Sequence, residues 1–235
     1  MNTKEKMNPN KIARVAGFLY LLMAPLGIFG LKWTSSLIVP GDAAITASNI
    51  MASESLFRLS IVSALMTQIV NILLVLVLYK LLKPVNKNHA LLMVIFILLG
   101  APIAMLSELN RFFALLLLSG ADYLAVFTAN QLQALVPLIL DLHEQGINIA
   151  GIFWGLWLFP MGYLVYKSGF LPRIFGILLM IGCFGYLIDS FAIFLFPSFK
   201  GIALYTFWGE VLFPLWLLIK GVNVEQWEKR ALESA

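Results

Sequence analysis

The sequence predicts an all-α membrane protein: a polytopic bundle of about six transmembrane helices, with one further interfacial or partly inserted helix. Three observations carry that prediction. Of 235 residues, 61% are hydrophobic and only 12% are charged, whereas soluble domains carry about a quarter charged residues. Mean hydropathy is +0.91. The apolar residues also fall into blocks close to the ~20 that a helix needs to cross a hydrocarbon core about 30 Å thick. No soluble domain remains once these blocks are assigned. The chain therefore reads as a single integral membrane domain over 1–235, with short cytoplasmic tails at about 1–11 and 221–235.

The first block runs from Ile12 to Leu31 behind a basic flank of Lys4, Lys6, Lys11 and Arg14. It is too long for a signal-peptide core and lacks a small-x-small cleavage site, so an uncleaved first helix is expected. The second runs from Phe57 to Leu82. The third starts near His89 and continues past Pro102 towards Leu118, longer than a perpendicular crossing needs. It must tilt, bend at Gly100–Pro102, or emerge near Glu108–Arg111. The fourth covers Ile147 to Tyr166, the fifth Leu171 to Phe196 and the sixth Ile202 to Ile219. Pro160 and Pro214 lie within crossings, where neighbouring groups can satisfy the freed carbonyls.

Charge decides how to read Asp122–Glu144, which is apolar but interrupted by Asn130, Gln131, Gln133, Asp141 and His143. With six crossings and the N-terminus inside, the inner side holds twelve basic residues. They are Lys4, Lys6, Lys11, Arg14, Lys80, Lys83, Lys87, Lys167, Arg173, Lys220, Lys229 and Arg230. The outer side holds four: Lys32, Arg58, Arg111 and Lys200. Making Asp122–Glu144 a seventh crossing evens the count at eight on each side. Cytoplasmic loops carry the excess of Lys and Arg, so six crossings are expected, with both termini in the cytoplasm. Asp122–Glu144 then becomes a surface or partly inserted helix.

The same asymmetry accounts for the net charge of +4, so no nucleic-acid partner is expected and membrane lipids take its place. The lone cysteine, Cys183, excludes an intramolecular disulfide or a cysteine-based metal cluster, and its apolar setting predicts a buried thiol. No phosphate-cradling glycine loop, Gly-x-Ser-x-Gly turn or His-Glu-x-x-His helix is present. No cofactor is expected. His143 reads as a solvent-facing or capping histidine, since one His among carboxylates makes a poor metal site.

The stretch from Gly151 to Tyr186 contains Gly151-Ile-Phe-Trp-Gly-Leu-Trp-Leu-Phe-Pro160 and the turn Lys167-Ser-Gly-Phe-Leu-Pro-Arg173. With Asp141-Leu-His-Glu-Gln-Gly146 before it and Arg14-Val-Ala-Gly-Phe-Leu-Tyr20 near the start, it resembles domain of unknown function 4386. The resemblance covers nearly the whole chain. It implies a bacterial cytoplasmic-membrane protein and carries no accepted activity or catalytic residues. The turn has its own physical reading: Lys167 and Arg173 anchor two helix ends at the inner headgroups. Gly169 permits the reversal, and Pro172 suits the first turn of the next helix.

Ionisable residues inside a membrane are costly and face a bundle interior or cavity. Asp189 stands about 25 Å along the fifth helix from Pro172, and Glu210 about 10 Å below the outer end of the sixth. Glu108 and Arg111, at i and i+3, share a face of the third. Gln68 and Asn71 repeat that spacing in the middle of the second. These six residues form the candidate ligand-binding set, in an outward-opening polar pocket. The functional expectation is a protein that binds or moves a small molecule or lipid. The alternatives are an intramembrane enzyme using Asp189, Glu210 or His143 as acid and base, or an accessory subunit. A homo-oligomer is compatible with each.

Overall fold

The computed structural model describes residues 8–196, 199 and 201–234. Lys4, Lys6 and Lys200, counted in the charge balance, lie outside the described residues, as does the side chain of Lys32. Ten α-helices follow one another among the described residues. They are α1 (Pro9–Gly27), α2 (Ala43–Ala52), α3 (Glu54–Leu82), α4 (Lys87–Leu117) and α5 (Ala129–Leu156), then α6 (Leu158–Ser168), α7 (Arg173–Leu195), α8 (Ala203–Thr206), α9 (Trp208–Ile219) and α10 (Val224–Glu233).

Five runs are long and apolar enough to cross a membrane: Pro9–Leu37, Glu54–Leu82, Lys87–Leu117, Ala129–Ser168 and Arg173–Leu195. Ala203–Ile219, followed by Val224–Glu233 at a bend of 102°, brings the number to six. The chain is a helical membrane protein.

Local chemistry sets the boundaries. After α1 the backbone widens into a π-helical turn, Ile28–Lys32, and then tightens into a 3-10 turn, Trp33–Leu37. Asp42 caps α2, its carboxylate accepting the Ile45 N–H at 2.9 Å, which satisfies an orphan donor of the first turn. α5 stops at Leu156 because Pro160, four residues on, has no N–H to offer that carbonyl. α6 ends on Gly169 in the left-handed region (φ 75°), a position that favours glycine. Pro172 is the cap residue before α7 and stands just outside the first turn expected for it. Asn223 caps α10 by accepting the Gln226 N–H.

The largest departure from the sequence reading concerns Asp122–Glu144. From Ala129 onward this segment is the first half of α5, continuous with the residues expected to start a crossing at Ile147. Together α5 and α6 make a run of 40 residues, about 60 Å of helix, twice the hydrocarbon thickness. Of the polar interruptions, Asn130, Gln131 and Asp141 are exposed and His143 is not. Val136, Leu140, His143 and Ala150 are buried, whereas Asp141 and Glu144 are exposed.

The described residues form two compact units. One comprises Met1–Leu22, Val70–Gly100 and Gly151–Ala235. Within it glycines bring backbones together. A Cβ on Gly17 would stand 2.7 Å from Pro214 O and Leu218 N, and one on Gly162 would stand 2.6 Å from Gly176 O. Small residues permit this approach between apolar helices. The C-terminal tail is tied down: Trp227 is buried and donates its indole N–H to the Leu81 carbonyl at 2.8 Å. Cys183 is buried in the same unit.

The other unit comprises Met23–Ile69 and Ala101–Ala150. Its core joins Ile50 of α2, Phe57 and Ile61 of α3, Ala114, Leu115 and Leu117 near the end of α4, and Val136 and Leu140 of α5. A Cβ on Gly30 would stand 2.7 Å from Ala64 N, so the π-helical turn lies directly against α3.

Candidate functional site

The site is built on α4. Glu108 and Arg111 are one turn apart on its inward face, 4% and 0% exposed, about 30 Å from its start. Arg111 Nη1 donates to Glu108 Oε2 at 3.0 Å and to the Gly30 carbonyl at 2.8 Å. Nη2 donates to Ser60 Oγ. The guanidinium also stands over the Phe57 ring, 5.1 Å from its centroid, a favourable place for a cation. The π-helical turn and Gly30 therefore have a role: they present a backbone carbonyl to a buried cation.

His143 of α5 completes the group. A Cβ on Gly146, one turn along, would run into Ser107; this close approach lets the imidazole reach α4. Its Nδ1 lies 3.1 Å from the Ser107 carbonyl, and its Nε2 lies 3.9 Å from Glu108 Oε1. The expectation of a solvent-facing or capping histidine is thus corrected: His143 is buried beside a carboxylate. Sequence periodicity carried the signal, because His143 continues the buried stripe Val136, Leu140 of α5.

Two polar atoms of this centre are buried without a hydrogen-bond partner among the described residues, Glu108 Oε1 and Arg111 Nε. One is an acceptor and the other a donor. The centre is a pair of carboxylate and imidazole beside a guanidinium; no group of three or more His, Cys, Asp or Glu gathers as a metal site among the described residues.

The other sequence candidates serve separate pairings. Glu210 of α9 accepts a 2.9 Å hydrogen bond from the Tyr20 hydroxyl at Oε2, with Tyr186 close to the same carboxylate. Its Oε1 is buried and has no hydrogen-bond partner among the described residues. Neither tyrosine was singled out from the sequence. The Gly17 contact with α9 places Tyr20 there, one turn further along α1. Asp189 accepts the Ile202 N–H at 2.6 Å and the Ala203 N–H at 2.9 Å, capping the short helix α8. Gln68 and Asn71 are buried on α3, and Gln68 Oε1 and Asn71 Oδ1 have no partner among the described residues. Glu108, Arg111 and Gln68 belong to one unit, and Asn71, Asp189 and Glu210 to the other.

An uncharacterized protein of Archaeoglobus fulgidus is 37% identical over 167 residues, covering 71% of this chain and 86% of the relative. No solved structure matches. Residues 15–221 match the family described as Domain of unknown function (DUF4386). That match spans most of the helices just described, and the chain belongs to this family.

Proposed function

We propose that this membrane protein binds and moves a small polar solute, engaged at the Glu108–Arg111–His143 centre. The observation that carries the reading is the pair of orphaned atoms, Glu108 Oε1 and Arg111 Nε. A buried polar group left unpaired costs ~1–3 kcal/mol, and a buried ion pair is weak support for stability. Two unmade bonds in one ion pair therefore have no evident structural return. A solute offering one acceptor and one donor would satisfy both.

The centre also favours a class of solute. The Arg111 charge is balanced by Glu108 at 3.0 Å, and Nη1 is committed to Glu108 and Gly30. A multivalent anion would meet the carboxylate and find little free guanidinium. A neutral hydroxyl or amide group fits better. The centre's depth along α4, near the thickness of a hydrocarbon core, favours entry from the outer side.

The twelve-to-four division of basic residues supports both termini in the cytoplasm. We place the protein in the cytoplasmic membrane of a bacterium, a lipid setting equally compatible with the archaeal relative.

The test is thermal unfolding of purified protein with a panel of small hydroxyl- and amide-bearing solutes. The expected result is a rise in Tm that Arg111→Lys abolishes, since lysine keeps the charge but lacks the Nε–H. A panel without effect, or an undiminished rise in the variant, would contradict the proposal.

A further inference from the structure

The Ser107 carbonyl can only accept, so the hydrogen on its 3.1 Å bond to His143 belongs to Nδ1. That bond fixes the tautomer: in neutral His143, Nε2 is a bare lone pair. It stands 3.9 Å from Glu108 Oε1, itself buried and without a donor among the described residues. Two acceptors therefore face each other where one hydrogen is missing.

We propose that Glu108 and His143 form a proton-binding site, holding one exchangeable proton between Oε1 and Nε2. This rests on the same centre as the solute-binding reading and adds a second ligand, the proton. Uptake from water forms an N–H bond at Nε2, giving an imidazolium beside the carboxylate. Transfer across the gap breaks that N–H bond and forms O–H on Oε1, leaving a neutral imidazole and a carboxylic acid. The centre gains one positive charge in either form.

From α4 the pair meets Arg111, whose guanidinium holds the other carboxylate oxygen, Oε2. From α3 it meets the neutral Ser60 and Phe57, both through Arg111. Among the described side chains and backbone, the π-helical turn contributes the Gly30 carbonyl, again through Arg111. Asp141 and Glu144, the neighbouring acids on α5, are exposed. Arg111 fixes Oε2, so Oε1 is the carboxylate oxygen left for the proton. Binding the proton switches the charge beside Arg111. Solute binding at Arg111 Nε and Glu108 Oε1 is thereby coupled to proton binding.

The experiment uses the full chain in lipid nanodiscs without added solute. Difference infrared spectroscopy across a pH titration reads protonated carboxyl groups, and nitrogen-15 NMR reads the imidazoles. The chain has two histidines, so His89→Gln assigns the spectrum. The expected result is a Nε2 resonance of His143 that titrates while Nδ1 stays protonated. A carboxyl band absent in Glu108→Gln is also expected, its midpoint moved by about one pH unit or more in His143→Gln. A His143 Nε2 that never titrates, or a carboxyl band indifferent to His143, would overturn the proposal. If His143→Gln does not fold, the NMR titration of the unsubstituted protein decides. Because no solute is present, this result stands apart from the thermal screen. A titrating pair with no stabilising solute keeps the proton site and removes the solute reading.

Discussion

The Tyr20 hydroxyl donates a 2.9 Å hydrogen bond to Glu210 Oε2, tying α1 to α9 across 190 residues of sequence. Gly17 makes the bond geometrically accessible, because its missing side chain lets the Pro214 turn of α9 come against α1. Tyr20→Phe leaves a half-buried carboxylate oxygen without this donor, a loss of ~1 kcal/mol or more. Glu210→Gln retains an acceptor for Tyr20 and should lose less. Thermal unfolding of the two variants in detergent checks the order.

Asp189 was a ligand candidate, and its hydrogen bonds in this fold are with the chain itself. Both carboxylate oxygens accept backbone N–H groups at the start of α8. Asp189→Ala should cost ~0.5–2 kcal/mol, the range for losing a helix cap. Amide exchange at Ile202 and Ala203 should quicken, while any solute stabilisation persists. Lost stabilisation with unchanged exchange would place Asp189 back in the binding set.

The α6–α7 hairpin depends on backbone approach at Gly162 and Gly176, each of whose Cβ positions would lie within 2.6 Å of the other's carbonyl oxygen. Gly176→Ala should destabilise by ~1–3 kcal/mol through overpacking. Gly27 supplies the contrast, because its nearest neighbour to an added Cβ is Thr67 Cγ2 at 3.9 Å. Gly27→Ala should be neutral or better. Unfolding midpoints of the two variants test whether the glycine contacts are as close as described.

Topology is open to single-site labelling, because Cys183 is buried. Cysteine at Val126, 83% exposed, should react with an impermeant maleimide from outside intact cells. Cysteine at Leu232, 80% exposed, should react only after lysis. The reverse pattern would invert the charge-based orientation.

The crossings were legible because hydropathy over ~20 residues is a strong signal. α3, α4 and α7 begin and end within three residues of the apolar blocks read from sequence. α2 was overlooked although Asp42 marks its cap, since ten residues are too short for a hydropathy signal. Asp122–Glu144 was separated from its crossing because charge counting fixes the number of crossings and says nothing about where a helix begins. In the site, the i, i+3 spacing of Glu108 and Arg111 exposed their pairing. The third member, His143, lies 32 residues beyond Arg111; periodicity puts it on the buried stripe of α5, but its place beside Glu108 follows from the packing of α5 on α4 at Gly146. Tyr20 and Tyr186 were hidden for the same reason, since a hydroxyl on an apolar helix reads as lipid-facing or interfacial until a carboxylate is found beside it.

The central claim is that the buried Glu108–Arg111 pair is kept for function. Arg111→Met alone should cost ~3–5 kcal/mol, because it strands a buried carboxylate. Replacing both residues, Glu108→Leu with Arg111→Met, removes the charges together and is often neutral or stabilising. The decisive measurement is the Tm of this double variant with and without the solute that stabilises the unsubstituted protein. The account predicts a Tm near or above that of the unsubstituted protein and no response to solute. A double variant that still gains stability from the solute would contradict it.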